Sequence, residues 1–283
     1  MFFKVLLIFH SESQLKKSRG ILLRRNNDTK VAIGKRRLFR GKKHTSSYEV
    51  AYYDGDFTGA MKIPALLAVV IKVSEEQTEL LGRDAAYVAQ FGLGWVITNY
   101  EIEIHRLPKV GEKVAITTQA MSYNKYFCYR NFWVHDEEGN ECVFVKSTFV
   151  LMDQKNRKIS SVLPEIIAPF DSEKITKIYR HEKIEKVTEG NFLPYRVRFF
   201  DIDGNQHVNN AIYFNWLLDV LGYDFLTTHQ PKKILVKFDK EVEYGQEVES
   251  HYEIVEQENQ LKTRHEIRID GQIYCEANID WTN

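Results

Sequence analysis

The sequence has few cysteines and no long apolar run, and each shortage narrows the kinds of protein it can encode. Cys128, Cys142 and Cys275 are scattered through 283 residues without a C-x-x-C pair. An odd, widely spaced set predicts neither a disulfide framework nor a zinc site, and it favours a reducing compartment, the cytoplasm. The apolar run at 5–9 is too short for a secretory signal. No stretch has the length of a membrane span, so we expect no stable membrane insertion.

Motifs that mark common cofactors and nucleophiles are missing as well. The chain has no G-x-G-x-x-G, Walker loop, H-E-x-x-H or G-x-S-x-G. We therefore predict no cofactor and no metal. The composition, 43% hydrophobic and 28% charged, is typical of soluble globular proteins, and the length allows two domains.

The net charge of zero hides an uneven distribution. Residues 1–44 hold 13 Lys and Arg against 2 Asp and Glu, whereas the rest of the chain holds 26 against 37. This predicts a basic, disordered extension over 1–45 before an acidic body. Two alternatives stay open: an arm for nucleic acid, membrane or an acidic protein, and a start codon placed too far upstream. Because nucleic acid is itself negatively charged, the acidic body argues against a nucleic-acid partner.

Two parts of the chain repeat each other. Residues 100–114 match 234–248 at an offset of 134, with apolar positions and a glycine in register. Residues 53–56 match 200–203 at an offset of 147, which implies 13 extra residues in the first half, placed at 74–86. Each copy has a helical stretch followed by about four strand-like segments. The pattern predicts an α+β fold in which each antiparallel sheet wraps around its helix.

The repeat also predicts how the chain divides into domains. The first half covers 46–165, a charged linker covers 166–186, and the second half covers 187–283. A helix is expected directly after 200–210.

A polar cluster stands just before that second helix. Asp203, Asn205 and His207 alternate along the chain, and Glu241 follows the next strand-like segment. Carboxylate, amide and imidazole groups at a helix start are suited to acyl-transfer chemistry. Turn formation and helix capping explain the first three equally well from spacing alone, and Glu241 is equally well a solvated strand end.

The first half lacks the equivalent groups. At the offset of 147, the positions of Asn205 and His207 are occupied by Thr58 and Ala60. A purely structural helix start has less reason to differ in this way. The comparison favours a single site in each chain.

The run Asp-Ile-Asp-Gly-Asn-Gln-His-Val-Asn-Asn-x-x-Tyr at 201–213 resembles the signature of acyl-acyl-carrier-protein thioesterases of plants and bacteria. The resemblance covers about 46–283 and implies a tandem (double) hotdog, two helix-wrapped antiparallel sheets. It implies hydrolysis of fatty acyl-acyl-carrier-protein to free fatty acid and holo-carrier, which ends fatty acid elongation. Acyl carrier protein is then the partner, no cofactor is needed, and a homodimer stays open.

Carried over by position, the family's catalytic residues fall on Asp203, Asn205, His207 and Glu241. Many members have a cysteine after that glutamate, but here the residue is Val242. A thiol nucleophile is therefore not supported unless a distant cysteine reaches the site. Two routes stay open: attack by Asp203 on the thioester, or direct activation of water by a carboxylate.

The resemblance also implies that the first half holds much of the acyl chain. Six apolar residues are candidates for lining its groove, with an ordinary core position as the alternative for each: Met61, Leu66, Val69, Val70, Trp95 and Ile97. Because carrier protein is acidic, we expect a basic docking surface near the site or on the tail.

Three other functions remain in view. An acyl-CoA thioesterase shares the chemistry, whereas a non-catalytic acyl-sensing hotdog module would bind acyl thioesters without turnover. A nucleic-acid-binding protein is the third, and only the basic tail favours it.

Overall fold

The computed structural model describes residues 41–257 and 260–282, which contain twelve strands and five α-helices. The strands are β1 (Lys43–Glu49), β2 (Leu93–Ile104), β3 (Lys113–Tyr123), β4 (Phe127–His135), β5 (Glu141–Asp153), β6 (Lys158–Ser160), β7 (Glu173–Lys174), β8 (Asn191–Arg196), β9 (Pro231–Phe238), β10 (Glu247–Gln257), β11 (Gln260–Ile269) and β12 (Gln272–Trp281). The helices are α1 (Ile63–Leu80), α2 (Ala85–Ala89), α3 (Pro164–Ile167), α4 (Asn210–Asp219) and α5 (Tyr223–Thr228). None of these helices has the length and apolar character to cross a membrane.

All twelve strands belong to one sheet. Ten of them follow the order β1-β3-β4-β5-β2-β9-β12-β11-β10-β8, while β6 pairs with β5 and β7 pairs with β3. The order in the second half mirrors that in the first, and the halves join where β2 and β9 pair antiparallel, for instance Ile102 with Ile234. The helices α1 and α4 pack against each other, and their apolar residues share one core with the sheet. The predicted α+β double hotdog is confirmed.

Backbone hydrogen bonds confirm both offsets of the repeat. The N–H of Met61 donates to Pro108 at 2.8 Å, and the N–H of Val208 donates to Val242 at 3.0 Å. The donors are 147 residues apart and the acceptors are 134 apart, as the sequence match requires. The two long helices also begin at equivalent positions, since α1 starts at Ile63 and α4 at Asn210.

The extra residues of the first half mostly lengthen its helix. Helix α1 has 18 residues and α4 has 10. The longer helix persists because its buried stripe continues through Val70, Val73 and Gln77.

Ordered structure begins earlier than predicted. Strand β1 starts at Lys43, inside the segment 1–45 that the sequence suggests is a disordered extension; residues 1–40 lie outside the described residues. Lys43 to Glu49 pair with β3 in register. The strand escapes sequence detection because it lies at the sheet edge, where its residues are polar and only alternate between exposed and half-buried.

The predicted linker 166–186 is packed against the sheet. It contains the end of α3, a 3₁₀ turn at Ala168–Phe170 and β7. Further along, His181 Nδ1 lies 2.9 Å from the buried Glu101 carboxylate, and the Tyr179 hydroxyl donates to the same carboxylate at 3.1 Å. The segment connecting the two repeats therefore also covers part of β2.

Candidate active site

The predicted polar cluster lies on a tight turn at 202–208. The Asp203 N–H donates to the His207 carbonyl at 2.9 Å, and the Gln206 N–H donates back to the Asp203 carbonyl at 3.0 Å. Gln206 takes a left-handed φ of +67°, and the Asp203 carboxylate accepts the Asn205 N–H at 2.8 Å. These bonds hold Asp203 and His207 at the two ends of one short loop.

Helix α4 begins after this turn. Its first residue is Asn210, and the side chain of Asn209 caps it by accepting the Ala211 N–H at 2.9 Å. His207 therefore lies three residues before the first helical residue, in the turn that precedes the helix. The helix does not begin earlier in the chain, because the Val208 N–H donates to the Val242 carbonyl instead of bonding within a helix.

The first half repeats this turn without its reactive groups. The Asp56 N–H donates to Ala60 at 2.8 Å, the Gly59 N–H donates to Asp56 at 3.0 Å, and the Asp56 carboxylate accepts the Thr58 N–H at 2.8 Å. Gly59 takes the left-handed conformation, with φ of +76°. The backbone therefore needs the aspartate but neither the amide nor the imidazole.

Glu241 faces His207. It lies three residues beyond the end of β9, and its Oε2 is 3.5 Å from Nε2 of His207. The other ring nitrogen of His207, Nδ1, is buried and has no hydrogen-bond partner. The carbonyl of Val242 accepts the N–H of Val208, and these two residues directly follow Glu241 and His207. This backbone bond therefore fixes the position of Glu241 relative to the imidazole.

Arg157 is a site residue that the sequence did not reveal. It lies on the tight turn between β5 and β6, takes a left-handed φ of +50°, and forms an ion pair with Glu241. Asp153 shapes this turn by accepting the N–H of Asn156 at 2.8 Å. The paired residues are 84 positions apart, so no local pattern signals the contact. The pair brings the two halves together at one site.

The Asp203 carboxyl is electrostatically perturbed. It is half-buried, and burial raises its pKa above the ordinary aspartate value. Bonding to the Asn205 N–H and the charge of His207 oppose the rise, while the nearby Glu241 carboxylate adds to it. A raised pKa on a carboxyl beside an imidazole is common where protons are transferred. The Asn205 side chain itself is exposed.

The cysteines are poorly suited to act as nucleophiles. All three are free and buried. Burial raises the pKa of Cys128 to about 12 and raises that of Cys142 and Cys275 as well. A buried, protonated thiol is inert. The position after Glu241 carries the buried Val242, whose carbonyl accepts the Val208 N–H.

A cavity of about 1270 Å³ extends from the turn into the first half. Two of the six apolar candidates, Trp95 and Ile97, line it. The other four belong to the core and are absent from the cavity wall: Met61, Leu66, Val69 and Val70.

A different face of α1 borders the cavity. Leu67, Ala68 and Ile71 line it, whereas Leu66 and Val70 point into the core. Helix α1 begins with an almost unbroken apolar run, so the sequence does not distinguish the two faces.

One group of side chains in the described residues has metal-ligand spacing: Glu112, Asp136 and Cys142. The Arg106 guanidinium donates to Glu112 at 3.0 Å and to Asp136 at 2.8 Å. The Arg106 guanidinium therefore already supplies the positive charge between these carboxylates.

The fold and site define a double hotdog in which the Asn205 carboxamide and the His207 imidazole occur in one half only. The model of the acyl-ACP thioesterase N-terminal domain matches residues 41–170, and that of the C-terminal domain matches 184–283. The chain belongs to the acyl-ACP thioesterase family.

Individual relatives agree with this assignment. The chain is 27% identical over 169 residues to the chloroplastic oleoyl-acyl carrier protein thioesterase 2 of Arabidopsis thaliana, a match covering 55% of this chain and 46% of the relative. It thus spans about half the length of the curated relatives it matches.

Solved structures share the whole fold. A crystal structure from Lactobacillus plantarum, provisionally described as an oleoyl thioesterase, is 38% identical with a TM-score of 0.83, covering 86% of this chain and 97% of its own. A 12:0-ACP thioesterase from Umbellularia californica, 18% identical with a TM-score of 0.74, covers 84% and 93% and supports the fold alone.

Proposed function

We propose that this protein hydrolyses fatty acyl-acyl-carrier-protein to free fatty acid and holo-carrier, and so ends fatty acid elongation. The observation that carries the proposal is the His207–Glu241 pair, which faces the Asp203 turn at one end of a large cavity. Family membership supports the same reaction.

The side chains have complementary roles in this reaction. His207 donates a proton to the departing sulfur, because its imidazole lines the cavity beside the Asp203 turn. Glu241 holds the imidazole by its Nε2 and shares in activating water. The exposed Asn205 carboxamide orients the thioester or the water. Arg157 fixes the Glu241 carboxylate from the opposite half.

Two routes satisfy the balance of atoms. In the first, an Asp203 oxygen attacks the thioester carbon, the carbon–sulfur bond breaks, the sulfur takes a proton, and water hydrolyses the resulting anhydride. In the second, a carboxylate takes a proton from water as the water oxygen attacks the same carbon, the carbon–sulfur bond breaks, the sulfur takes a proton from His207, and no covalent intermediate forms. Rapid quenching followed by mass spectrometry separates the routes, because only the first leaves an acyl group on Asp203.

The acyl chain is proposed to enter the cavity past Trp95 and Ile97 and to run along the α1 face that carries Leu67 and Ile71. This gives the first half (46–165) the role of acyl binding and the second half (187–283) that of catalysis. The lining supports the assignment because apolar walls with few polar groups are typical of lipid-binding sites.

Docking of an acidic carrier is supported by basic side chains at the catalytic end of the cavity. Arg157, Lys237 and Lys240 all line it there. Lys237 already pairs with Asp239 at 2.6 Å, which leaves Lys240 as the better candidate for contact with the carrier. A Lys240→Glu exchange should raise KM for carrier-bound substrate and weaken its dependence on salt. The basic extension is a second candidate for this contact.

The decisive experiment measures free-thiol release from a panel of acyl-carrier substrates and the matching acyl-CoA esters. Faster turnover of carrier substrates is the expected result. Faster turnover of CoA esters would favour the acyl-CoA thioesterase, and acyl binding without turnover would favour the sensing module. Unchanged rates in both His207→Ala and Asp203→Ala would refute the site assignment.

Two further proposals concern the setting. We propose the cytoplasm as the compartment, on the cysteine usage, whereas the curated plant relatives are chloroplastic. A homodimer is the proposed alternative to a monomer, and light scattering over a concentration series distinguishes them.

A further inference from the structure

Arg130 is a charged residue inside the first half. It lies on the inward face of β4, in the alternating pattern that also buries Cys128 and Phe132, and it is only 8% exposed. Phe132 belongs to the main core, and Cys128 belongs to a separate apolar cluster with Phe170. The guanidinium therefore lies between two apolar clusters.

The recorded partners of this guanidinium are all uncharged. It donates to Gln77 Oε1 at 2.7 Å and to Thr118 Oγ1 at 2.9 Å, and it lies 5.4 Å from the ring centre of Phe170. Burial lowers the pKa of Arg130 to about 10, so the group is still charged at neutral pH. A buried charge without a counter-ion is costly.

Several buried carboxylates in the described part of the chain lie beside a cation. Asp201 pairs with Arg198, Glu266 pairs with Arg268, and Glu101 lies 3.6 Å from the Lys146 ammonium. Asp54 resembles Arg130 in having uncharged partners, the Tyr48 hydroxyl and the Ala51 N–H. Arg130 differs from Asp54 because it also borders the large cavity, where a further partner can come from outside the protein.

Arg130 lines the same cavity as the catalytic turn, and so does Ser172. The Ser172 hydroxyl is buried and has no hydrogen-bond partner. A cationic donor and an unpaired hydroxyl thus border a cavity whose remaining wall is largely apolar.

We propose that Arg130 and Ser172 form a subsite for an oxygen atom on the acyl chain: a hydroxyl, carbonyl or carboxylate remote from the thioester. This rests on the proposed function for the acyl ligand itself. An acceptor oxygen would pair with the Ser172 hydroxyl and give Arg130 a partner beyond Gln77 and Thr118, whereas a plain alkyl chain would exclude water and leave the hydroxyl unpaired. The subsite would therefore favour oxygenated chains over alkyl chains of the same length.

The test compares matched carrier substrates of successive lengths, each with a methyl or a hydroxymethyl end. In the unmodified protein, kcat/KM should favour the hydroxylated partner about tenfold or more at the length that reaches Arg130. Arg130→Met should remove or reverse the preference, Ser172→Ala should reduce it, and Arg130→Lys should retain part of it. Short alkyl substrates, which do not reach the subsite, should react at unchanged rates in all variants that fold.

The result that overturns the inference is equal selectivity at every length, or an undiminished preference in Arg130→Met. If that variant does not fold, Ser172→Ala decides in its place. Calorimetry with free alkyl and hydroxylated fatty acids separates this inference from the proposed function. Preferential binding of hydroxylated acids without any thioester hydrolysis would support the subsite and refute the enzymatic activity.

Discussion

Nε2 of His207 lies 3.5 Å from Oε2 of Glu241, and the backbone joins the loops that carry them. The next residue after each side chain supplies the link, because the N–H of Val208 donates to the carbonyl of Val242. The imidazole and the carboxylate are thus held by a bond of the repeat scaffold and do not depend on their own contact for position.

Exchange of either partner should reduce turnover while the fold persists. His207→Ala and Glu241→Gln should each lower kcat by about 10²–10⁴-fold, and the double variant should lose little more, because the two act on one proton-transfer step. Thiol release and circular dichroism measure the two effects. His105 and Glu141 form a similar pair at 3.4 Å on the surface, so His105→Ala is the matched control and should retain full activity.

The repeat supplies an internal control for the aspartate. Asp203→Asn should abolish most turnover, while Asp56→Asn at the equivalent turn of the first half should leave it unchanged. Both exchanges keep an oxygen that can accept the N–H two residues on, so neither turn should unfold. Equal loss of activity in the two variants would mean that the turns matter only as structure.

The raised pKa of Asp203 predicts how stability depends on pH. A carboxyl with a higher pKa in the folded state binds its proton more tightly when folded. Its favourable contribution is therefore present below the unfolded-state pKa and is lost as pH rises through the folded-state pKa. As pH rises through this acidic range, the free energy of unfolding of the unmodified protein should fall relative to that of Asp203→Asn. Urea titrations at a series of pH values test this, and a constant difference would contradict it.

Removal of the Arg157 guanidinium should affect activity more than stability. Arg157→Asn tolerates the left-handed backbone and removes the ion pair with Glu241. The free energy of unfolding should fall by less than about 1 kcal/mol, since both side chains are partly exposed. We expect kcat to fall about tenfold with KM nearly unchanged, because Glu241 loses its orientation.

A control for this exchange lies two residues earlier. Lys155→Asn removes a charge from the same turn, and it should leave kcat unchanged. A similar fall in kcat in both variants would mean that the charge of the turn, and not the ion pair, causes the effect.

Thiol-alkylating reagents should not inactivate the native protein. Burial keeps all three thiols protonated, and no cysteine follows Glu241. Iodoacetamide should leave activity intact, and mass spectrometry should find label only after denaturation. Rapid inactivation with one label per chain would restore a cysteine mechanism.

The sequence located the polar turn because the required information is local. An aspartate and a left-handed position three residues later define the turn in both halves, so comparison of the copies isolates His207 and Asn205. Arg157 was out of reach because its contact with Glu241 joins two loops 84 positions apart. The cavity-facing side of α1 was missed since both of its apolar faces are buried, one against the core and one against the cavity. Strand β1 was missed because its edge position needs no apolar pattern.

The matching turns also show that the backbone of this architecture does not depend on the proposed catalytic side chains. Thr58, Ala60 and Leu107 occupy the places that Asn205, His207 and Glu241 hold in the second half, on a backbone with the same hydrogen bonds. The two turns therefore differ in three side chains and not in their backbone. Under the proposed function, the interior of the first half, including the buried Arg130 guanidinium, can change without altering those three side chains.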